Sequence, residues 1–328
     1  MKYTRFRITL FVLTTIAASA VPVRIARAGP VYTAGHGDAG VAYEAGELDF
    51  HLHFGADAVS EDETDITFSE FAPDEAYIRV PDSRHTIVPA GFEFTGANSG
   101  DDLWSLPQTG LVGVPLFGFA TEELEPSDWS GAITFSLTDV VCAPENSYFT
   151  LWQDTFFGVN VRFDTLDDLG PDDVFGLPAG GHDDTQWGFT EPGVYRLEFT
   201  ADGVHVTDGP VTGWGIYTFL VGDATTAGDL LIADIDCNGG VDFQDFLILQ
   251  ANFGLTSDAL HGDGDLDNDG DVDFQDFLIL QAEYGATGDA PGSGVPVAAA
   301  AVPEPSSRAL ALCSVLALGL LWLCRGMR

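Results

Sequence analysis

The chain has 328 residues and carries 51 Asp and Glu against 12 Lys and Arg, for a formal net charge of −39. Between residues 29 and 304 the only Lys or Arg residues are Arg79, Arg84, Arg162 and Arg196. So few cations cannot neutralise a phosphate backbone, which argues against nucleic-acid binding. The acidic surface suits solubility in an exterior medium, or calcium as a counterion, and the length allows one large or two modest domains.

Residues 1–28 have the pattern of a secretory signal peptide. A basic start precedes a mainly apolar stretch at 8–20, and the segments 26–28 and 18–20 offer alternative small-x-small cleavage sites. The alternative is a retained membrane anchor, for which the apolar run is short. We therefore expect an exported protein.

Residues 29–222 are predicted to form one β-rich domain, because Gly and Pro interrupt the segment often and no long amphipathic helix is present. In 47–54, apolar and polar residues alternate as in a half-buried strand. Asp202-Gly203 has the composition of a hairpin turn. Short strands without intervening helices favour a β-sandwich. Further strands are predicted at 76–80, 131–141, 148–152, 159–164, 193–201, 204–207 and 214–221.

The same segment resembles a known family. Seven motifs carry the resemblance in their order along the chain: Gly35–Phe54, Pro73–Pro81, Trp104–Pro107, Phe117–Leu124, Leu177–His182, Trp187–Phe189 and Pro192–Tyr195. Together they are similar to the choice-of-anchor M family of bacterial surface proteins, over residues 33–222. The resemblance implies a surface location and a β-sandwich, and it implies no reaction.

An internal repeat follows, since residues 241–251 and 272–282 are identical at an offset of 31. Each copy completes a twelve-residue acidic loop with the spacing of an EF-hand calcium loop, and Gly239 and Gly270 stand where that loop turns sharply. The spacing predicts two bound calcium ions. The candidate ligands are Asp234, Asp236, Asn238, the Gly240 carbonyl, Asp242 and Asp245 in the first loop, and Asp265, Asp267, Asp269, the Asp271 carbonyl, Asp273 and Asp276 in the second.

A short helix is predicted after each loop, with Gly254 and Gly285 as helix stops. One apolar face of these helices should join them, through Phe246, Leu249 and Phe253 in the first and Phe277, Leu280 and Tyr284 in the second. We also expect the valines at loop position 8, Val241 and Val272, to pair across the two loops.

Asp at loop position 12 and the lack of a helix before the first loop resemble type I dockerin repeats. The resemblance implies a cohesin-like partner. The Phe-Gln pairs at 243–244 and 274–275 depart from the small hydroxyl residues with which dockerins contact cohesins. We assign the module to residues 231–285, after a linker at 223–230.

The C-terminal segment is predicted to be a sorting signal. A Gly/Ala/Pro-rich flexible linker at 286–302 leads to Pro303-Glu304-Pro305, an apolar run at 309–324 and a basic end. The order of these features resembles the PEP-CTERM signal over 303–328, which implies a transmembrane helix that an exosortase processes. The alternative is a permanent membrane anchor.

Four histidines are candidate ligands for zinc or copper: His36, His51, His53 and His182. His51 and His53 alternate along a predicted strand and so share a face, and Asp38 and Asp183 could complete the set. The alternative is a polar sheet face with hydrogen-bonded histidines. Cys142 and Cys237 could form one disulfide or remain two free thiols.

The sequence offers no serine-hydrolase elbow and no recognisable Cys/His pair, and a glycosidase pair cannot be selected among so many carboxylates. We therefore predict no enzyme. The predicted fold class is mainly β: a β-sandwich, then a small α-helical dockerin-like EF-hand-loop module and a C-terminal transmembrane helix.

The predicted function is that of an exported bacterial protein of the cell surface, outer envelope or extracellular matrix, with a structural or interaction role and a calcium-stabilised module. The alternatives are a polysaccharide-binding or polysaccharide-degrading surface protein, and a histidine-dependent metal-binding surface protein. The expected partners are the membrane, through the C-terminal span, and an extracellular polysaccharide or a cohesin-like protein.

Overall fold

The fold of the described residues is mainly β, with sixteen strands and two α-helices. The computed structural model describes residues 29–167, 169–171, 173–257 and 259–288. By its internal contacts the chain divides after residue 291, so all described residues belong to the first unit.

The predicted signal peptide, the sorting signal and most of the second linker lie outside the described residues. Within the described ranges, no helix has both the length and the apolar character needed to cross a membrane.

Two sheets contain all the strands of this part of the chain. The larger has eleven strands: β1 (Val31–Glu44), β2 (Glu47–Phe54), β3 (Val59–Ser60), β4 (Glu70–Phe71), β5 (Tyr77–Val80), β8 (Pro115–Ala120), β9 (Ala132–Cys142), β12 (Val174–Pro178), β13 (His182–Asp184), β15 (Gly193–His205) and β16 (Gly209–Val221). The smaller has five: β6 (His85–Ile87), β7 (Asp102–Leu106), β10 (Phe149–Thr155), β11 (Gly158–Asp164) and β14 (Gln186–Phe189).

Strand β1 pairs with four other strands of the larger sheet, namely β2, β3, β5 and β8. The main strand order is β12-β9-β15-β16-β5-β1-β2-β4, and β1 also pairs with β3 and with β8, which in turn pairs with β13. The start of β1 runs parallel to β5, and its remainder lies between β8 and β2. Gly35 allows this change of neighbours, because its φ is +90° and a Cβ there would lie 2.1 Å from the Asp57 carbonyl oxygen.

The main apolar core takes side chains from both sheets. Phe119 of β8 stacks on Trp187 of β14 with ring centroids 5.4 Å apart, and both belong to one buried cluster. The Trp187 indole Nε1 donates to the carbonyl of Phe117 at 2.8 Å, so the polar atom of this buried ring is satisfied across the core.

The prediction for β2 is confirmed, because Leu48, Phe50, Leu52 and Phe54 are all buried in this core. The hairpin prediction at Asp202-Gly203 is wrong. Both residues lie inside β15, and the chain turns between His205 and Gly209 instead. Gly203 is required by packing, since a Cβ there would lie 2.6 Å from the Trp129 ring.

The repeats form two helices of ten residues, α1 (Phe243–Asn252) and α2 (Phe274–Glu283). Each starts with a capping box, in which the N-cap Asp accepts from the backbone two residues on and the position-12 Asp accepts from the N-cap amide. Gly254 and Gly285 follow the helices with φ of +97° and +88°, as expected of helix stops.

A second apolar cluster holds the module together, with Leu249 and Leu280 buried and Phe246 and Phe277 packed against it. Phe253 and Tyr284 do not join it, because each is the C-cap residue of its helix and is 54% exposed.

The expected pairing of the two position-8 valines is wrong in its detail. The backbone of Val241 bonds to Gly285 and Ala286, after α2, and the backbone of Val272 bonds to Gly254 and Leu255, after α1. Each loop therefore pairs with the segment that follows the other helix. The two valine side chains still meet the same apolar cluster.

Two contacts fix the repeats to the β-rich part. Cys142 at the end of β9 and Cys237 of the first loop form a disulfide, with their Cα atoms 5.6 Å apart, which decides between the two alternatives for these cysteines. Arg196 of β15 is buried, and its guanidinium Nη1 lies 3.0 Å from Nε2 of His261, between the repeats.

Candidate functional site

The first acidic loop is folded around its own carboxylates. Asp234 Oδ1 and Oδ2 accept from the amides of Asn238 and Gly239, at 3.1 and 2.8 Å. Asp245 Oδ1 accepts from the Ile235 amide at 2.7 Å, although Asp245 is eleven residues along the loop from Asp234. These bonds bend the loop so that its first and last carboxylates face a common centre.

The second loop repeats this arrangement residue by residue. Asp265 Oδ2 accepts from Gly270 at 2.8 Å, and Asp276 Oδ1 accepts from Leu266 at 2.7 Å. The turn glycines, Gly239 and Gly270, have φ of +90° and +83°. Two sequences that differ at several positions therefore form one loop geometry.

Most of the predicted carboxylate ligands come together in three groups. Within each group the ligand atoms lie within 4.8 Å of one another: Asp234, Asp236 and Asp245; Asp265, Asp267 and Asp269; Asp271, Asp273 and Asp276. Asn238 Oδ1 and Asp242 Oδ1 accept from backbone amides of the first loop, those of Gly240 and Gln244. For Asp271 the prediction used only the carbonyl, whereas the structure also places its carboxylate in a group.

The donors are hard carboxylate and amide oxygens, which are the ligands that calcium prefers. Burial, followed by the neighbouring carboxylates, raises the pKa of Asp234, Asp265 and Asp267 to about 6. Carboxylates crowded in this way favour a bound cation, because a cation removes their mutual repulsion. The residues of both loops therefore fit a calcium ion.

A second group of candidate ligands lies on the larger sheet, on the face opposite the main core. Because side chains alternate along a strand, Ala39 and Val41 of β1 enter the core while His36 and Asp38 point away from it. On β13, His182 and Asp184 face outward, and β8 lies between the two strands. We call the outward side chains of β1, β2, β8 and β13 the histidine face.

Four donor atoms converge on the histidine face. His36 Nε2 and His182 Nε2 lie 3.0 Å apart, and His182 Nε2 lies 2.9 Å from Asp38 Oδ1. Asp184 Oδ1 lies 3.5 Å from Nε2 of each histidine. We call these four residues the His₂Asp₂ cluster.

The carboxylates control the charge of the two imidazoles. Asp184 raises the pKa of His36, and Asp38 raises the pKa of His182 to about 9. Burial alone would lower both pKa values, because it disfavours the charged imidazolium. The effect of the carboxylates on the pKa is therefore larger than the effect of burial.

The four predicted histidines form two clusters rather than one. His51 Nε2 lies 2.9 Å from Glu123 Oε1, and His53 Nδ1 lies 3.7 Å from the same oxygen. Asp183 belongs to neither cluster, since alternation turns it to the other face, where Gln153 and Arg162 contact it. Glu123 and Asp184 are members of these clusters that the sequence does not indicate as ligands. An alternating His-Asp-Asp strand would have pointed to Asp184, whereas no local signal pointed to Glu123.

No protein-family model, curated protein or solved structure matches this chain. The resemblances to choice-of-anchor M, dockerin and PEP-CTERM proteins therefore stay predictions, and function has to be inferred from the chain's own residues.

Proposed function

We propose that the protein is an exported surface or matrix protein whose repeats bind two calcium ions as a structural clamp. The observation that carries the proposal is that both acidic loops hold the carboxylates at positions 1 and 12 through the same backbone hydrogen bonds. On this proposal, the β-rich part is a sandwich-like binding or scaffold domain and the repeats are dockerin-like. The C-terminal tail attaches the chain to the membrane, either until an exosortase processes the tail or permanently.

A structural role for calcium is favoured over a sensing role by how the loops are attached. A calcium sensor has to move when it binds its ion. Here the first loop is linked covalently to β9 through Cys237, and buried Arg196 contacts the segment before the second loop. The disulfide also supports export, since such bonds persist in oxidising compartments.

Calcium titration of the full chain tests this proposal. Asp236 and Asp267 are exposed ligands at loop position 3, so replacing either with Ala leaves the packing largely unchanged. We expect two calcium ions for the wild type, and one for Asp236→Ala and for Asp267→Ala, by isothermal titration calorimetry. Occupancy at a hundredfold excess over Kd should stabilise the fold by about 2.7 kcal/mol for each site.

The matched control is Asp202→Ala, which removes an exposed carboxylate from β15, outside the acidic loops. It should keep two calcium ions and the full stabilisation. The proposed structural role of calcium would be contradicted if chelator left the urea midpoint of the wild type unchanged. It would also be contradicted if Asp202→Ala lost as much calcium as the loop variants.

A further inference from the structure

We propose that His36, Asp38, His182 and Asp184 form a binding site for a divalent transition-metal ion of the zinc class. The site differs from the acidic loops in its donors and lies on another part of the chain. It needs neither calcium nor the repeats for its ligands, which come from β1 and β13 alone.

The distances between the donor atoms fit a four-coordinate ion. Zinc bonds to imidazole nitrogen and carboxylate oxygen are about 2.0–2.1 Å long, so the ligand atoms of a tetrahedral site lie about 3.3 Å apart. The two Nε2 atoms are 3.0 Å apart, Asp38 Oδ1 is 2.9 Å from His182 Nε2, Asp38 Oδ2 is 3.6 Å from His36 Nε2, and Asp184 Oδ1 is 3.5 Å from both rings. Each of these distances is within about 0.4 Å of the tetrahedral value.

The state of Asp184 is an independent observation that points to a missing ligand. Its Oδ1 is buried and lies 3.5 Å from Nε2 of both histidines, a distance beyond that of a well-formed hydrogen bond to either ring. Enclosing a carboxylate oxygen without a close partner costs free energy. A cation bonded to this oxygen would remove that cost.

The neighbouring backbone leaves room for the cluster. A Cβ on Gly118 of β8 would lie 3.0 Å from Asp38 Oδ1 and 2.6 Å from the Asp183 carbonyl oxygen. Asp38 itself is 4% exposed, while His36 and His182 keep 35% and 25% of their side chains accessible. The site is therefore fixed at its base and open to entering ions at its rim.

The donor types indicate which ion should bind. Imidazole is a ligand for zinc, copper, nickel and iron, whereas calcium prefers an all-oxygen set. Four protein ligands favour binding over catalysis, because catalytic zinc sites usually keep one position for water. The neighbouring cluster of His51, His53 and Glu123 has only three donors and serves as an internal comparison.

The test is a titration of the full chain with Zn²⁺ and with Co²⁺, in saturating calcium so that the acidic loops are occupied. The wild type should bind one equivalent, and Co²⁺ should give the visible absorption of a four-coordinate ion. Asp184→Asn and His182→Gln should each weaken Zn²⁺ binding more than 100-fold, since loss of a ligand exceeds the 10–100-fold effect of a supporting residue.

Asp184→Asn is the more informative variant, because Asn keeps the size of the side chain and Oδ1 lies 3.5 Å from its nearest ring nitrogens, so little hydrogen bonding is lost with the charge. The controls are His53→Gln and His85→Gln, which should bind Zn²⁺ like the wild type. Unchanged Zn²⁺ affinity in folded Asp184→Asn and His182→Gln would overturn the proposal. So would a Zn²⁺ site that disappears only in His53→Gln, which would assign the ion to the other cluster.

Discussion

One buried residue pair joins the β-rich part to the repeats and makes their junction sensitive to pH. Burial, and then the Arg196 guanidinium, lowers the pKa of His261 well below its ordinary value. His261 is therefore neutral and can accept a hydrogen bond from Arg196, whose own pKa is lowered by burial to about 10. The arrangement holds only while the imidazole is uncharged.

His261→Gln should make the stability of the protein less dependent on pH. The folded pKa of His261 lies below its unfolded value of about 6.5, so the unfolded chain takes up a proton first. The stability that neutral His261 contributes is therefore complete above pH 6.5. It is lost as the pH falls, at up to about 1.4 kcal/mol per pH unit. Urea midpoints at pH 7.5 and 5.5, in saturating calcium, measure the difference.

Glutamine keeps an acceptor for Arg196 but cannot be protonated in this range. We expect the wild type to lose more stability than His261→Gln between the two pH values, and His85→Gln to behave like the wild type. Equal losses in all three proteins would mean that the junction does not respond to protonation.

At the scale of the element, β2 and β1 show where the local sequence pattern predicts a strand and where it does not. Strand β2 alternates clearly and was predicted with its observed bounds. The local pattern does not predict strand β1, because this strand is rich in Gly and Ala. A Cβ on its Gly37 would lie 2.9 Å from the Phe54 ring, and one on Gly40 would lie 2.5 Å from the His51 ring.

The two candidate sites also differ in how far local sequence patterns predict them. The candidate calcium ligands of each loop lie within twelve residues of sequence, so their spacing predicts which residues share a loop. The His₂Asp₂ cluster joins residues about 145 positions apart through the β1–β8–β13 pairing, and a parallel neighbour such as β8 cannot be inferred from local patterns.

The misassigned hairpin gives a prediction for β15. Gly203→Ala should destabilise the protein by about 1–3 kcal/mol, because the added methyl group would overlap both the Trp129 ring and the Ile133 side chain. Gly209→Ala should cost about 1–2 kcal/mol for a different reason, the left-handed φ of +83° at the true turn. Chemical denaturation of both variants measures these costs.

A second background separates the two causes. With Trp129→Leu and Ile133→Val both present, the additional cost of Gly203→Ala should fall by half or more, while the cost of Gly209→Ala should stay the same. If this background relieved neither substitution or relieved both, the assignment of Gly203 to close packing would fail.

At the scale of the whole molecule, the disulfide links two regions with separate apolar clusters across 95 residues of sequence. A cross-link over this length typically stabilises a protein by about 2–4 kcal/mol. Cys237 also occupies loop position 4 with a left-handed φ of +56°, the value found for Asn268 at the same position of the second loop. Asn tolerates this conformation better than Cys does.

The double variant Cys142→Ala/Cys237→Asn should therefore lose stability without losing calcium. We expect its unfolding free energy to fall by about 2–4 kcal/mol and its calcium stoichiometry to remain two. The matched variant Cys142→Ala/Cys237→Ala should show the same loss of the cross-link and bind calcium more weakly at the first loop. A double Asn variant as stable as the wild type would show that the disulfide does not hold the regions together.

The crossed pairing of the repeats also determines how mechanical tension would pass through the chain. The Gly288 amide bonds to the Gly239 carbonyl, and the Val241 amide bonds to the Ala286 carbonyl, so the last described residues lie against the first loop. Cys237 is two residues before Gly239 and is bonded to β9. A pull on the chain beyond residue 288 would thus reach the β-rich part through these hydrogen bonds and the disulfide, while α1, α2 and the second loop stay out of the line of force.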